Sequence, residues 1–190
     1  MTGRRGATAA LATSVVAFAV GCGGGEPQDK NEPSGTFSMN VVKAAFPSSQ
    51  SLAKQEAMTI AVKNTDSREI PDLAVTIDSF TTRSQEPGLA DPNRPIWIVD
   101  EGPTGGTTAY TNTWAVGKVP AGATRTFTWK VTAIQAGTHT VKYRVAAGLN
   151  GKAKAKVNGK NDYQGSFTVA ISRKPAQATV DPNTGQVIRK

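Results

Sequence analysis

Apolar and polar residues alternate with a period of two in run after run along this chain. Phe37, Met39 and Val41 alternate with Ser38 and Asn40, and Met58, Ile60 and Val62 alternate with Thr59, Ala61 and Lys63. Leu73, Val75 and Ile77 follow, and later Phe127, Trp129 and Val131 stand against Thr126, Thr128, Lys130 and Thr132. Val141, Tyr143 and Val145 oppose Thr140, Lys142 and Arg144, and Phe167, Val169 and Ile171 close the series. In a strand successive side chains point to opposite faces, so each run predicts a strand with one apolar and one wet side. Strands of that kind need a second sheet over the apolar face. The pattern therefore predicts an all-β, antiparallel two-sheet β-sandwich, with Trp129 on its inner side.

Turn chemistry agrees. Asn64-Thr65-Asp66-Ser67, Pro120-Ala121-Gly122, Ala136-Gly137 and Asn150-Gly151 fall where the chain must reverse. No amphipathic helix of ten or more residues is legible, which argues against a parallel α/β fold. The sandwich is expected over 37–172. The stretch Gly23–Thr36, with three consecutive glycines and two prolines, reads as a flexible tether of 14 residues spanning ~20 Å as a random coil. Residues 173–190, with Pro175, Pro182 and a turn string at Asp181–Gly185, read as a disordered tail.

The N-terminus has a different composition. Arg4 and Arg5 precede an uncharged run of 14 residues, Ala7–Val20, too short to cross a ~30 Å bilayer core as a helix. This is the order of a cleaved export signal over 1–21. Ala19-Val20-Gly21-Cys22 resembles the lipobox of bacterial lipoproteins, departing from it at Ala19, where Leu is usual. The resemblance implies a diacylglyceryl group on the Cys22 sulfur, cleavage before Cys22, and a lipid-anchored protein, commonly palmitate-bearing, at the outer face of the cell membrane. Ordinary secretory cleavage after Ala17-Phe18-Ala19 is the alternative. Cys22 is the only cysteine, so no disulfide can staple the remaining 169 residues.

Several strand and turn motifs carry a second resemblance. Met58–Asn64 with its Asn-Thr-Asp turn, Val75-Thr76-Ile77, Val119-Pro120-Ala121-Gly122-Ala123-Thr124 before a Thr-rich strand, and Gly137-Thr138-His139-Thr140-Val141 resemble the immunoglobulin-like modules of bacterial surface proteins. Among such modules the chain resembles the adhesion-related CARDB domain, over about residues 56–147. The resemblance implies an immunoglobulin-like fold and an adhesion, spacer or display role, and it brings no catalytic residue. Asp66, where Gly is usual, and the insertion 81–108 are the departures.

Candidate chemistry is sparse. His139, the only histidine, reads as a partly covered strand-end residue, and without a second histidine or a free thiol an ordinary zinc site is not expected. Gly102–Thr108 is glycine-rich but lacks the Gly-Lys-Ser/Thr ending of a phosphate loop. Asp91-Pro92-Asn93 and Asn158–Asp162 offer oxygen ligands, yet without the spacing of a calcium loop, and read as turns. No Gly-x-Ser-x-Gly elbow is present. Neither a cofactor, a resident metal nor a catalytic site is expected.

Two features point outward. The 28-residue insertion 81–108 contains Pro95-Ile96-Trp97-Ile98-Val99, which either covers the sandwich as an edge strand or presents Trp97 to a partner. Charge is also lopsided. Residues 142–190 hold ten Lys/Arg against two acids, whereas 22–141 hold ten against twelve. Lys152, Lys154 and Lys156 alternate with Ala153, Ala155 and Val157, setting three ammonium groups on one face of a strand. Outside a cell they would meet anionic lipid or envelope polymers rather than nucleic acid, or simply protect an edge. The expected function is a membrane-anchored, non-catalytic binding, display or structural module, with another surface protein as a further possible partner. The alternative is a ligand-binding or enzymatic domain with its site in 81–108.

Overall fold

A computed structural model describes residues 31–78, 80 and 95–189. The signal-like segment, Cys22 and most of the tether, together with 81–94 of the insertion, lie outside the described residues. Those described form β1 (Gly35–Ala45), β2 (Ser49–Leu52), β3 (Gln55–Asn64), β4 (Ala74–Ile77), β5 (Trp97–Glu101), β6 (Thr107–Tyr110) and β7 (Thr113–Ala115). They continue with β8 (Thr124–Ala133), β9 (Gly137–Ala146), β10 (Ala153–Val157), β11 (Gln164–Pro175), β12 (Ala178–Val180) and β13 (Val187–Arg189).

These strands build two facing sheets, ordered β10-β1-β3-β8-β5 and β2-β11-β9-β4-β7-β6. The succession β1-β3-β8-β5 against β11-β9-β4 is the A-B-E-D and G-F-C arrangement of an immunoglobulin-like sandwich. The chain crosses from the first sheet to the second between β1 and β2, at Phe46-Pro47. Pairing is antiparallel except at two edges, where β10 joins β1 and β2 joins β11 in parallel. Residues 173–190, read as a disordered tail, instead carry the end of β11 and a hairpin in which Val180 pairs with Val187.

The alternation predicts the core well. Met58, Ile60 and Val62 from β3, Phe127, Trp129 and Val131 from β8, Val75 and Ile77 from β4, and Val141 and Tyr143 from β9 are buried between the sheets. Phe127 stacks on Trp129 with centroids 5.8 Å apart, and Trp114 meets Trp129 edge-on at 5.5 Å. A bulge at Val41/Lys43 breaks the β1 alternation: Val41 is half-buried and Val42 is exposed. Gly165 stands opposite Tyr143, and the Tyr143 ring lies where a Cβ of residue 165 would be.

Asn64 closes one end of the sandwich. Fully buried, it donates through Nδ2 to the Arg68 and Val119 carbonyls, both at 2.8 Å, and accepts from the Asp66 amide at 2.9 Å. Asp66, the departure in that turn, accepts from the Ser38 amide at 3.0 Å and from the Arg68 side chain at 3.1 Å. The Arg68 hydrogen bond, with those from the Ser38 and Arg68 amides, holds the Asp66 carboxyl well below its ordinary range. A carboxylate favoured by these donors serves the turn without glycine's freedom.

Two predictions follow from the packing. Trp129→Ala removes a fully buried indole and should cost about 3–5 kcal/mol in chemical denaturation; an unchanged midpoint would place residue 129 on the other face. Because Asp66 is depressed in the folded state, its contribution is complete above the unfolded pKa of about 4 and is lost as pH falls through the lower folded value. Melting curves of wild type and Asp66→Asn should therefore differ at neutral pH and converge in acid.

Candidate functional site

β10 is the outer strand of its sheet, and its sequence Ala-Lys-Ala-Lys-Val makes the difference between its faces. Ala153 and Val157 are buried against the core and Ala155 is half-buried, while Lys154 and Lys156 stand in solvent, as does Lys152 just before the strand. The three lysines therefore share a face, as their spacing predicts. None of them forms an ion pair with a described residue.

What the sequence reading missed lies beside them. Glu32, assigned to the flexible tether, is buried against the loop that leads into β10. Its Oε2 accepts from the Leu149 amide at 2.7 Å and the Asn150 amide at 2.9 Å, and its Oε1 accepts from the Ala153 amide at 2.6 Å. Three backbone N–H groups converging on one carboxylate form a nest, in which the charge-assisted bonds are short and strong. Gly148 makes room for it, since a Cβ there would overlap the Glu32 carboxyl group. A glutamate between Pro- and Gly-rich stretches carries no periodicity, so only tertiary structure reveals the contact.

The nest also caps an exposed edge. The Ala153 amide is taken by Glu32, and Val157 both donates to and accepts from Lys160, at 2.8 and 2.9 Å. Asn158 and Gly159 between them both have positive φ, at 49° and 77°, which is tight-turn geometry. Asn158 Oδ1 accepts from the Val41 amide at 3.0 Å, so this stretch ties the edge to β1.

Trp97 is corrected. It is fully buried, with Nε1 donating to Gln50 Oε1 at 2.8 Å and its ring packed against Phe46, Phe80 and His139. An indole held by Gln50 of the opposite sheet is a closure of the sandwich flank and presents nothing to a partner. β5 is the covering edge strand that the same segment also suggested. His139 is half-buried and bonds through Nε2 with the Ala136 carbonyl at 3.3 Å, a strand-end role.

Two open cavities, of about 610 and 380 Å³, share Val145, Ala146, Asn161 and Asp162; the first reaches Lys154, the second Arg144. A third, of about 340 Å³, lies between Asn31–Pro33 and Asp72 with Lys118. Burial raises the Asp72 carboxyl above its ordinary range, against the pull of the Gly117 amide and with the Glu32 charge adding to it. None of these three cavities is lined by a described residue of the insertion.

No protein-family model matches the chain, and no curated protein sequence matches it significantly. Among solved structures it is similar to the CARDB domain of the PF1109 protein of Pyrococcus furiosus, a complex with di-metal ions. The two are 13% identical over 73% of this chain and 94% of that one, with a TM-score of 0.42. It is also similar to Escherichia coli alpha-2-macroglobulin activated by porcine elastase, at 15% identity over 72% of this chain and 10% of that one, TM-score 0.41. A beta-glucosidase from Listeria innocua is similar at 14% identity over 73% and 16%, TM-score 0.35.

Glu32→Ala leaves the amides of Leu149, Asn150 and Ala153 without their acceptor and should cost about 2 kcal/mol in denaturant titration. Hydrogen exchange should quicken at those amides first. Exchange there at the wild-type rate would show that the carboxylate does not hold the loop.

Proposed function

We propose that this protein is a lipid-anchored, extracytoplasmic immunoglobulin-like module without catalytic activity, held to the cell membrane through Cys22 and touching the anionic envelope through Lys152, Lys154 and Lys156. The observation that supports the reading is the position of the lysine row. It lies on the strand that Glu32 engages, so the N-terminal segment enters the domain beside the cationic edge. A chain tethered at Cys22 then brings that edge close to the surface carrying the lipid. The sandwich serves as a rigid, disulfide-free stand whose stability comes from its core.

The lipobox-like string supplies the anchor in this reading, and the net charge of residues 142–190 supplies the attraction. Near anionic lipid each lysine is worth about 1 kcal/mol, weakened as salt shortens the Debye length to about 8 Å. Tethering raises the effective concentration, so a contact this weak is populated.

Metabolic labelling with a clickable fatty acid should mark the wild-type protein, and Cys22→Ala should abolish the mark and leave the chain unprocessed or released. Label retained in Cys22→Ala would overturn the anchor.

A further inference from the structure

The lysine row is one border of a wider surface. In β10, β1, β3 and β8, the residues that share its side of the sheet follow from register. Thr36 pairs with Lys154 and Ser38 with Lys156; Asn40 pairs with Lys63; Thr59 pairs with Thr128 and Ala57 with Lys130. The bulge at Val41/Lys43 adds one residue to β1, after which Lys43 pairs with Ala61, on the same side as Thr59 and Lys63. Without that extra residue the alternation would send Lys43 toward the core side. Lys43, Lys63, Lys154 and Lys156 are all exposed, and none forms an ion pair with a described residue.

Among the described residues of these four strands, register places no acid on this side. The four strands contain a single carboxylate, Glu56, which pairs in register with the buried Val131 and bonds to Lys54 at 3.2 Å. The first acids on the sheet belong to β5 at the far edge. There Glu101 neutralises Lys130 at 2.9 Å, and Asp100 accepts from Thr132 and Gln55. Asp66, in the turn after β3, is occupied by Arg68 at 3.1 Å. The β10-β1-β3 half of the sheet is thus a cationic platform with Thr36, Ser38, Asn40 and Thr59 between its lysines. β10 and β3 lie two strand spacings, about 10 Å, apart. On the outer side of β9 in the other sheet, Arg144 is paired with Asp78 at 3.0 Å, leaving Lys142 as the lysine there without an ion pair to a described residue.

We infer that the outer face of the β10-β1-β3 half-sheet, through Lys43, Lys63, Lys154 and Lys156, is the surface on which the domain lies down on an anionic lipid bilayer, with Glu32 setting that orientation. The inference rests on the anchored reading above and goes beyond it by replacing an edge contact with a face. Three observations favour a bilayer over a groove-bound chain. The platform is one side of a sheet, its charges are spread across three strands rather than lined along one, and the N-terminal segment is held at its border. With Glu32 bound, only eight residues lie between Cys22 and Asn31, nine Cα steps with a reach of about 30 Å when fully extended. The hydroxyl and amide groups between the lysines suit phosphate and glycerol oxygens at a headgroup layer.

The test uses the mature chain from residue 22 carrying Cys22→Ser, so that binding is reversible. It is sedimented with vesicles of phosphatidylglycerol and phosphatidylcholine in equal parts, with vesicles of phosphatidylcholine alone, and with purified cell-wall material. The double variant Lys43→Gln/Lys63→Gln, which leaves β10 untouched, should bind the anionic vesicles about 10–25-fold more weakly at low salt, at about fivefold per charge. Lys142→Gln, on the opposite sheet, should bind as the wild type does. All of these exposed substitutions should leave the melting temperature unchanged. On vesicles carrying the lipidated chain, amine-reactive labelling should spare Lys43 and Lys63 relative to Lys142, and Glu32→Ala should erase that difference. Wild-type binding by the Lys43/Lys63 variant, with loss only in a Lys152/Lys154/Lys156 glutamine variant, would overturn the face and leave the edge contact. Binding to wall material with none to anionic vesicles would overturn the bilayer as partner while fatty-acid labelling at Cys22 still stood.

Discussion

Everything in this molecule depends on the apolar contact between the inner faces of its two sheets. With no disulfide available, the strands have only each other's apolar sides to bury. Trp129, stacked on Phe127 and met edge-on by Trp114, is the centre of that contact. Sheet-on-sheet packing at about 10 Å leaves room for one layer of interdigitated side chains, so register is strongly specified wherever one face is buried. The outer faces are free of that requirement, and their polar composition can be used for recognition.

A sandwich built from open sheets must also manage its edges. On one side Trp97 of β5 reaches across to Gln50 of the opposite sheet, closing the flank with a buried hydrogen bond. On the other, β10 is added in parallel to β1, and its outward backbone groups are met by the Glu32 carboxylate and by Lys160. With Ala153 and Val157 so engaged, β10 offers no long unpaired run on its outer side. The Glu32 contact serves both purposes, protecting the edge and fixing where the N-terminal segment leaves the domain. The loop that the nest holds leads directly into the lysine strand.

The alternation of Met58–Val62, Phe127–Val131 and Val141–Val145 determined the strands, the inner face and the two-layer architecture, because a period of two leaves one apolar side that only a second sheet can cover. The same period placed Lys152, Lys154 and Lys156 on one side of an edge strand, and turn chemistry located the reversals. Tertiary structure alone decided what depends on partners distant in sequence. Trp97 went to the core because Gln50, forty-seven positions earlier, supplies an acceptor for its indole. Glu32 left the tether because three amides more than a hundred residues away converge on it. Lys43 joined the cationic side because a bulge shifts β1 by one residue, a change invisible in a pattern read locally. Composition and period are local quantities, whereas a nest, a cross-sheet hydrogen bond and a register shift exist only once the strands have paired.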